Sequence, residues 1–141
     1  MPIVSPAKAQ IITKATGSAT LKALLAGGAQ NGHLSVFPQA IVEPTATTAA
    51  PFIVLRMGSN VAVDRFLQRL TWTWYVYAEP YDQYWSIDPI VRVLRDLYDG
   101  MALTHDGDAW GVAEYTSTSD ELADDAWGKR FKFARFQVLH I

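Results

Sequence analysis

The apolar and polar positions along this chain follow two different periods. Leu67 to Ala78 alternates most plainly. Leu70, Trp72, Trp74, Val76 and Ala78 fall on one side and Thr71, Thr73, Tyr75 and Tyr77 on the other, which predicts a long strand. Phe52-Ile53-Val54-Leu55 is instead a continuous apolar run ending at Arg56-Met57, the mark of a strand covered on both faces. Gly58-Ser59-Asn60 breaks that run, so the two segments predict a β-hairpin with an extended tip at about 58–66.

Between residues 88 and 100 the period changes. Ile90, Val93, Leu94 and Leu97 recur at helical spacing, with Asp88-Pro89 at the start and Gly100 as the stop. Pro89 would kink one long helix, so Tyr81 to Ser86 is read as an irregular turn before it. Asp88–Arg92, Arg92–Asp96 and Arg95–Asp99 stand four apart as pairs of opposite charge on the polar face. Near the amino terminus Ser5-Pro6 reads as a helix start. Ile11, Ile12 and Ala15 follow, Gly17-Ser18 interrupts, and Leu21, Leu24 and Leu25 lead to Gly27-Gly28, predicting one or two short helices over 6–26. Residues 27–50, rich in Gly, Ala, Thr and Pro, form a long connection with a brief apolar patch around Val36-Phe37 and Ile41-Val42, room for a short strand, and a flexible arm at about 38–50.

The carboxy-terminal part reads as strands. Met101 to Thr104 is a short one, turned by Asp106-Gly107, and Trp110 to Thr116 is another. Ser117 to Gly128 reads as a polar, acidic loop, and Lys129 to Ile141 as the last strand. Within that strand Phe131 and Phe133 share one parity and Phe136 and Val138 the other, so a β-bulge near Ala134-Arg135 is expected to bring all four to one face. The whole is α+β: a mainly antiparallel sheet of about four to five strands, with one or two amino-terminal helices and one central helix packed against it.

Composition narrows the class. With 141 residues, 50% hydrophobic and 18% charged, the chain has the size of one ordinary domain and is neither disordered nor fibrous. No run of about 18 apolar residues predicts a membrane span, and the first residues lack the pattern of a signal peptide. Cysteine is absent, which removes disulfides, thiolate metal sites and cysteine nucleophiles. The net charge of −2 argues against general nucleic-acid binding. Charge is unevenly spread, however. Residues 1–42 hold Lys8, Lys14 and Lys22 and no acid, 101–125 hold seven acids and no base, and 126–141 hold four bases and no acid. The plainer explanation is neighbouring hairpin arms of opposite sign; the sharper one is a subunit presenting opposite charges on different faces, as head-to-tail packing uses.

No catalytic or ligand-binding constellation stands out. His33, His105 and His140 lie in a loop, a turn and the last strand, without ligand spacing. His105-Asp106-Gly107-Asp108 lacks the remainder of a calcium loop and reads as a tight turn. Gly27-Gly28 lacks a following Gly-Lys-Ser/Thr, and Ser35, Ser59 and Ser117 lack a nucleophile elbow. No cofactor is expected, and no enzymatic activity. The Trp72/Trp74 and Tyr75/Tyr77 ladders suit core packing on one face and a protein–protein contact on the other.

The segment order is similar to a known family. Pro51 to Arg56, a polar tip, Leu70 to Ala78, a helix ending Leu97-Tyr98-Asp99-Gly100, and a closing hairpin from Glu114 to Leu122 and Phe131 to Phe136 together resemble the phage tail terminator, or tail completion, family. The similarity runs over about 26–141 and rests on hydrophobic pattern; the connection 38–50 and the Lys-bearing first helix depart from it. The resemblance implies a single domain over 1–141 whose copies form a hexameric ring at the head-proximal end of the tail. Such a ring stops polymerisation of the tail tube protein and offers a platform to the head-closure or neck protein. It implies a virion location after assembly in the host cytoplasm, no membrane partner, and transient passage of DNA through the channel without specific binding.

Interface candidates follow from that implication: Val61, Asp64, Arg65, Phe66 and Arg69 at the hairpin tip, with the arginines facing acids of an adjacent copy. Asp106, Asp108, Asp120, Glu121, Asp124 and Asp125 are the candidates for the channel or a partner, since an acidic lining lets DNA slide where a basic one binds phosphate. Two other readings stay open at this point. One is a head-closure or neck connector. The other is a small-molecule-binding or enzymatic domain with a Trp-lined pocket, which requires a buried polar cluster facing Trp72 or Trp74.

Overall fold

A computed structural model describes residues 6–38, 48–82, 84–105 and 107–140. Four α-helices and seven strands follow in the order α1 (Pro6–Thr16), α2 (Ala19–Leu24), α3 (Gly28–Asn31), β1 (Val36–Pro38), β2 (Phe52–Ala62), β3 (Gln68–Ala78), α4 (Ile87–Tyr98), β4 (Ala102–His105), β5 (Asp108–Thr118), β6 (Leu122–Asp124) and β7 (Lys129–His140). Short 3₁₀ turns precede β1 and follow β3. The sheet order is β1-β2-β3-β7-β5-β4, with β6 also on β7.

The α+β class is as expected, but the sheet is mixed and has seven strands rather than four to five. Val36, Phe37 and Pro38 pair in parallel with Ile53, Val54 and Leu55, while β2–β3, β3–β7, β5–β7, β4–β5 and β6–β7 are antiparallel. Both additional strands are three residues long, too short to show a period. The stretch expected to be a polar, acidic loop contains β6, which pairs Leu122 with Phe131 and Asp124 with Lys129. The arm expected at about 38–50 falls mostly on residues 39–47, which lie outside the described residues, as does Ser5 of the expected helix start.

Two strand expectations change in detail. Gly58 does not end β2: the strand runs on to Ala62 through a register shift between Met57 and Asn60, so the turn of the hairpin is Val63 to Leu67. Gly58 lies close against β3: a Cβ on it would meet Thr71 Oγ1 at 2.2 Å and the Thr71 carbonyl oxygen at 3.0 Å, so any larger residue forces Thr71 to shift. The irregularity expected within β7 near Ala134-Arg135 lies on its neighbour instead: β5 shifts register against β7 between Tyr115 and Ser117, opposite Phe136 and Arg135, while β7 itself stays regular against β3. Eleven consecutive pairs from Gln68↔His140 to Ala78↔Arg130 leave β3–β7 in one register. Phe131 and Phe133 consequently point to one face and Ala134, Phe136 and Val138 to the other.

The main core lies between the sheet and the helices. Ile87, Ile90, Leu94 and Tyr98 form the buried stripe of α4, and Ile11, Ala15, Leu21 and Leu25 come from α1, α2 and the residue after it. They cover Ile53, Leu55, Trp72, Trp74, Val76, Phe136 and Val138. Tyr98 sits against Trp72, Trp74 and Phe136, with ring centroids 5.9, 6.4 and 5.2 Å away, and donates its hydroxyl hydrogen to the Ile11 carbonyl at 2.6 Å. Burial raises its pKa, so the hydroxyl stays a donor at any physiological pH. The end of α4 is tied to the sheet by Asp99, whose carboxylate accepts the Tyr115 N–H, and by Gly100, at φ +85°, whose N–H donates to Ala113. The expected i,i+4 pairs are thus partly redirected. Asp88 binds Lys132 at 2.7 Å, and Arg95 lies over the Tyr115 ring. On the outer edge of β4, the Gln10 side-chain amide both donates to the Thr104 carbonyl and accepts its N–H, occupying ladder groups that an edge strand otherwise leaves open.

Candidate functional site

The strands have a second apolar side. On the face away from α4, Phe52, Val54 and Tyr77 are buried, with Phe37, Tyr75, Trp127 and Phe131 packed around them. Rings follow one another across β2, β3 and β7: Phe52 stacks on Tyr77 at 4.9 Å, Tyr77 on Phe131 at 5.2 Å, and Tyr75 meets Phe133 at 5.4 Å. Arg56 lies over Tyr75 and Arg135 over Phe133, so the half-open end of this aromatic face is bounded by cations. The Tyr77 hydroxyl is pushed up to about 12, first by burial and then by the Asp124 carboxylate.

The ends of the sheet carry the exposed aromatics. At one end the β2–β3 hairpin projects with Val61, Val63 and Phe66 exposed, Phe66 to 72%. Arg65 and Arg69 are exposed beside them. Asp64 is used within the turn: its carboxylate accepts the N–H groups of Phe66 and Leu67 at 2.7 and 2.9 Å. At the other end, beyond Ala78, Tyr81 and Trp85 are 84% and 81% exposed. Between them Tyr84 has φ +69°, an uncommon conformation for a side chain of this size. It is held by a bond from its hydroxyl to the Leu122 carbonyl at 2.9 Å and by Lys132 over its ring. An open recess of about 560 Å³ beside it is lined by Pro80, Tyr84, Glu121 and Arg130.

The residues singled out in the sequence are distributed accordingly. Val61, Asp64, Arg65, Phe66 and Arg69 are brought together at the hairpin tip. The acidic set is not one group. Asp120 and Glu121 precede β6, Asp124 accepts the Trp127 N–H at 3.0 Å, and Asp125 is exposed in the next turn. All four therefore lie at the Trp85 end. Asp108 pairs with His105 at the start of β5, toward the hairpin-tip end where Trp110 stacks on His140, and Asp106 lies outside the described residues. Tyr81 and Trp85 were missed. Their one signal in the sequence is that they fit neither the alternation of β3 nor the helical stripe of α4.

The reading of a Trp-lined pocket is overturned. Trp72 and Trp74 are 1% and 0% exposed, and Trp72 stacks on Phe136 at 5.7 Å. Neither indole N–H makes a hydrogen bond of normal geometry, although that of Trp74 lies near the Tyr98 hydroxyl. A second recess, of about 530 Å³, lies between α1 and the end of α4, and Lys14 is the one ionisable residue in its lining. Among the described residues no three His, Asp or Glu side chains converge as metal ligands. His140 instead lies 2.9 Å from Asn60 Oδ1 and is 6% exposed.

No family model matches the chain, and no curated protein matches it. Among solved structures it is similar to a chain of the virion of a native gene transfer agent particle, with a TM-score of 0.70 and 11% identity over 94% of this chain and 92% of that one. Another solved chain, at TM-score 0.47 and 16% identity over 73% of this chain and 77% of that one, is too distant to argue from. The first likeness shows that the fold is shared.

Proposed function

We propose that this chain is a virion structural protein, a tail terminator whose copies close a hexameric ring on the head-proximal end of a phage-type tail. The ring ends growth of the tube and presents a docking surface to the head-closure or neck protein, while DNA passes through without being held. The observation that carries the reading is the shared fold, end to end, with a chain of a gene transfer agent virion. The order of segments seen in the tail terminator family supports the finer assignment. The exposed tip and the exposed Tyr81 and Trp85 supply mating surfaces that the monomer leaves uncovered.

The test is to add purified protein to polymerising tail tubes of the same virion. Tubes should stop at a uniform length and carry the protein at one end only, as seen by immunogold labelling. Tubes that grow on undisturbed, or label along their whole length, would contradict the role. Arg65→Glu with Arg69→Glu is expected to abolish capping while the isolated chain stays folded by circular dichroism, because both side chains are exposed at a projecting tip.

A further inference from the structure

The two exposed ends of the sheet have complementary chemistry, and we infer that they mate: the hairpin tip of one copy docks on the Tyr81–Trp85 loop of the next. This rests on the ring reading and names the surfaces that would build it. The tip offers Val63 and Phe66 as apolar contacts, with Arg65 and Arg69 as cations and Asp64 already committed to its own turn. The opposite end offers two aromatic side chains more than four-fifths exposed, beside a recess that Glu121 helps to line. Asp120 and Asp125 are exposed on the same side, while both nearby lysines are already engaged. Lys132 binds Asp88 and Lys129 binds Glu79 at 3.3 Å, which leaves Arg130, in the lining of the same recess as Glu121, as the remaining base against three exposed acids.

Geometry and charge then select one arrangement. The ten residue steps of β3 hold the two ends about 33 Å apart, so a tip cannot reach the loop of its own chain. Tip against tip would set Arg65 and Arg69 against their own copies, and loop against loop would oppose the acids; like charges disfavour both symmetric pairings. Tip against loop pairs opposite charges around an aromatic contact. Such a contact is head-to-tail, and it closes into a ring when its rotation closes. Tyr84 fits this role, since its left-handed backbone and its bond to β6 fix the loop that presents Tyr81 and Trp85.

The chain has no cysteine, which permits a direct test. Ala62→Cys at the tip and Ala126→Cys at the opposite end, both exposed positions that keep Phe66, Tyr81 and Trp85 in place, are each made singly, mixed at high concentration and oxidised. The inference predicts a mixed disulfide dimer in large excess over either symmetric one, and disulfide-linked multimers from the double variant. Adding Arg65→Glu and Arg69→Glu to the tip partner should cut the mixed product roughly tenfold. Asp120→Arg with Glu121→Arg on the loop partner should restore it. A ring that assembles without a mixed disulfide overturns this inference and leaves the ring standing. A mixed disulfide that extends into open filaments upholds the contact and overturns the ring. Strict monomers with no product under any condition overturn both.

Discussion

One set of strands presents two apolar faces, and they differ in how completely they are finished. The face under α1, α2 and α4 is closed: Trp72, Trp74, Phe136 and Tyr98 are almost wholly buried and packed on one another, Trp72 stacked on Phe136 and Tyr98 edge-on to both. The opposite face is closed only around Phe52 and Tyr77, and it opens through half-buried Tyr75, Phe131 and Phe133 toward Arg56 and Arg135. The ends of the sheet are more open still. Burial on the first face holds the monomer together, and the unfinished surfaces are what a monomer has left over for assembly.

The largest effect that would sharpen this contrast belongs to the closed face. Trp74→Ala removes a fully buried indole and should cost about 3–5 kcal/mol, read as a lowered urea midpoint. Phe133→Ala, on the open face, should cost only about 1 kcal/mol because its ring is only partly buried in the monomer. Equal losses from the two would erase the distinction between the faces.

The smallest effect is confined to alkaline solution. The Tyr77 hydroxyl is raised from 10.0 to about 12 in the folded chain, so its contribution is fully present below pH 10 and is lost as pH rises toward 12. Tyr77→Phe removes that ionisation and should make stability fall less steeply over that interval in urea titrations, with little change at neutral pH. An unchanged slope would show that Tyr77 lies open to solvent, and the face with it.

How far the sequence could be read follows from the physics of each segment. Strand β3 is legible because its alternation is strict and, from Leu70 to Ala78, one of its faces is wholly apolar. Strand β7 was misjudged for a definite reason. Its first half is apolar toward the open face and its second half toward the helices, so a real change of environment imitates a bulge. Strands β1 and β6 exist by virtue of their partners, β2 and β7, and three residues carry no period of their own. At the tip, the cluster of Val61, Arg65, Phe66 and Arg69 was visible as a polar break between strands. That Asp64 turns inward to cap the loop depends on backbone geometry. Trp85 could be seen in the sequence as an aromatic residue without a period, but its exposure is set by the tertiary path of the loop.

The proposed role depends on contacts between copies, and electron microscopy of tail ends bearing the protein would make those contacts visible. End-on averages should show a closed ring of six copies, each hairpin reaching its neighbour. Isolated protomers bound to the tube without touching one another would contradict the account.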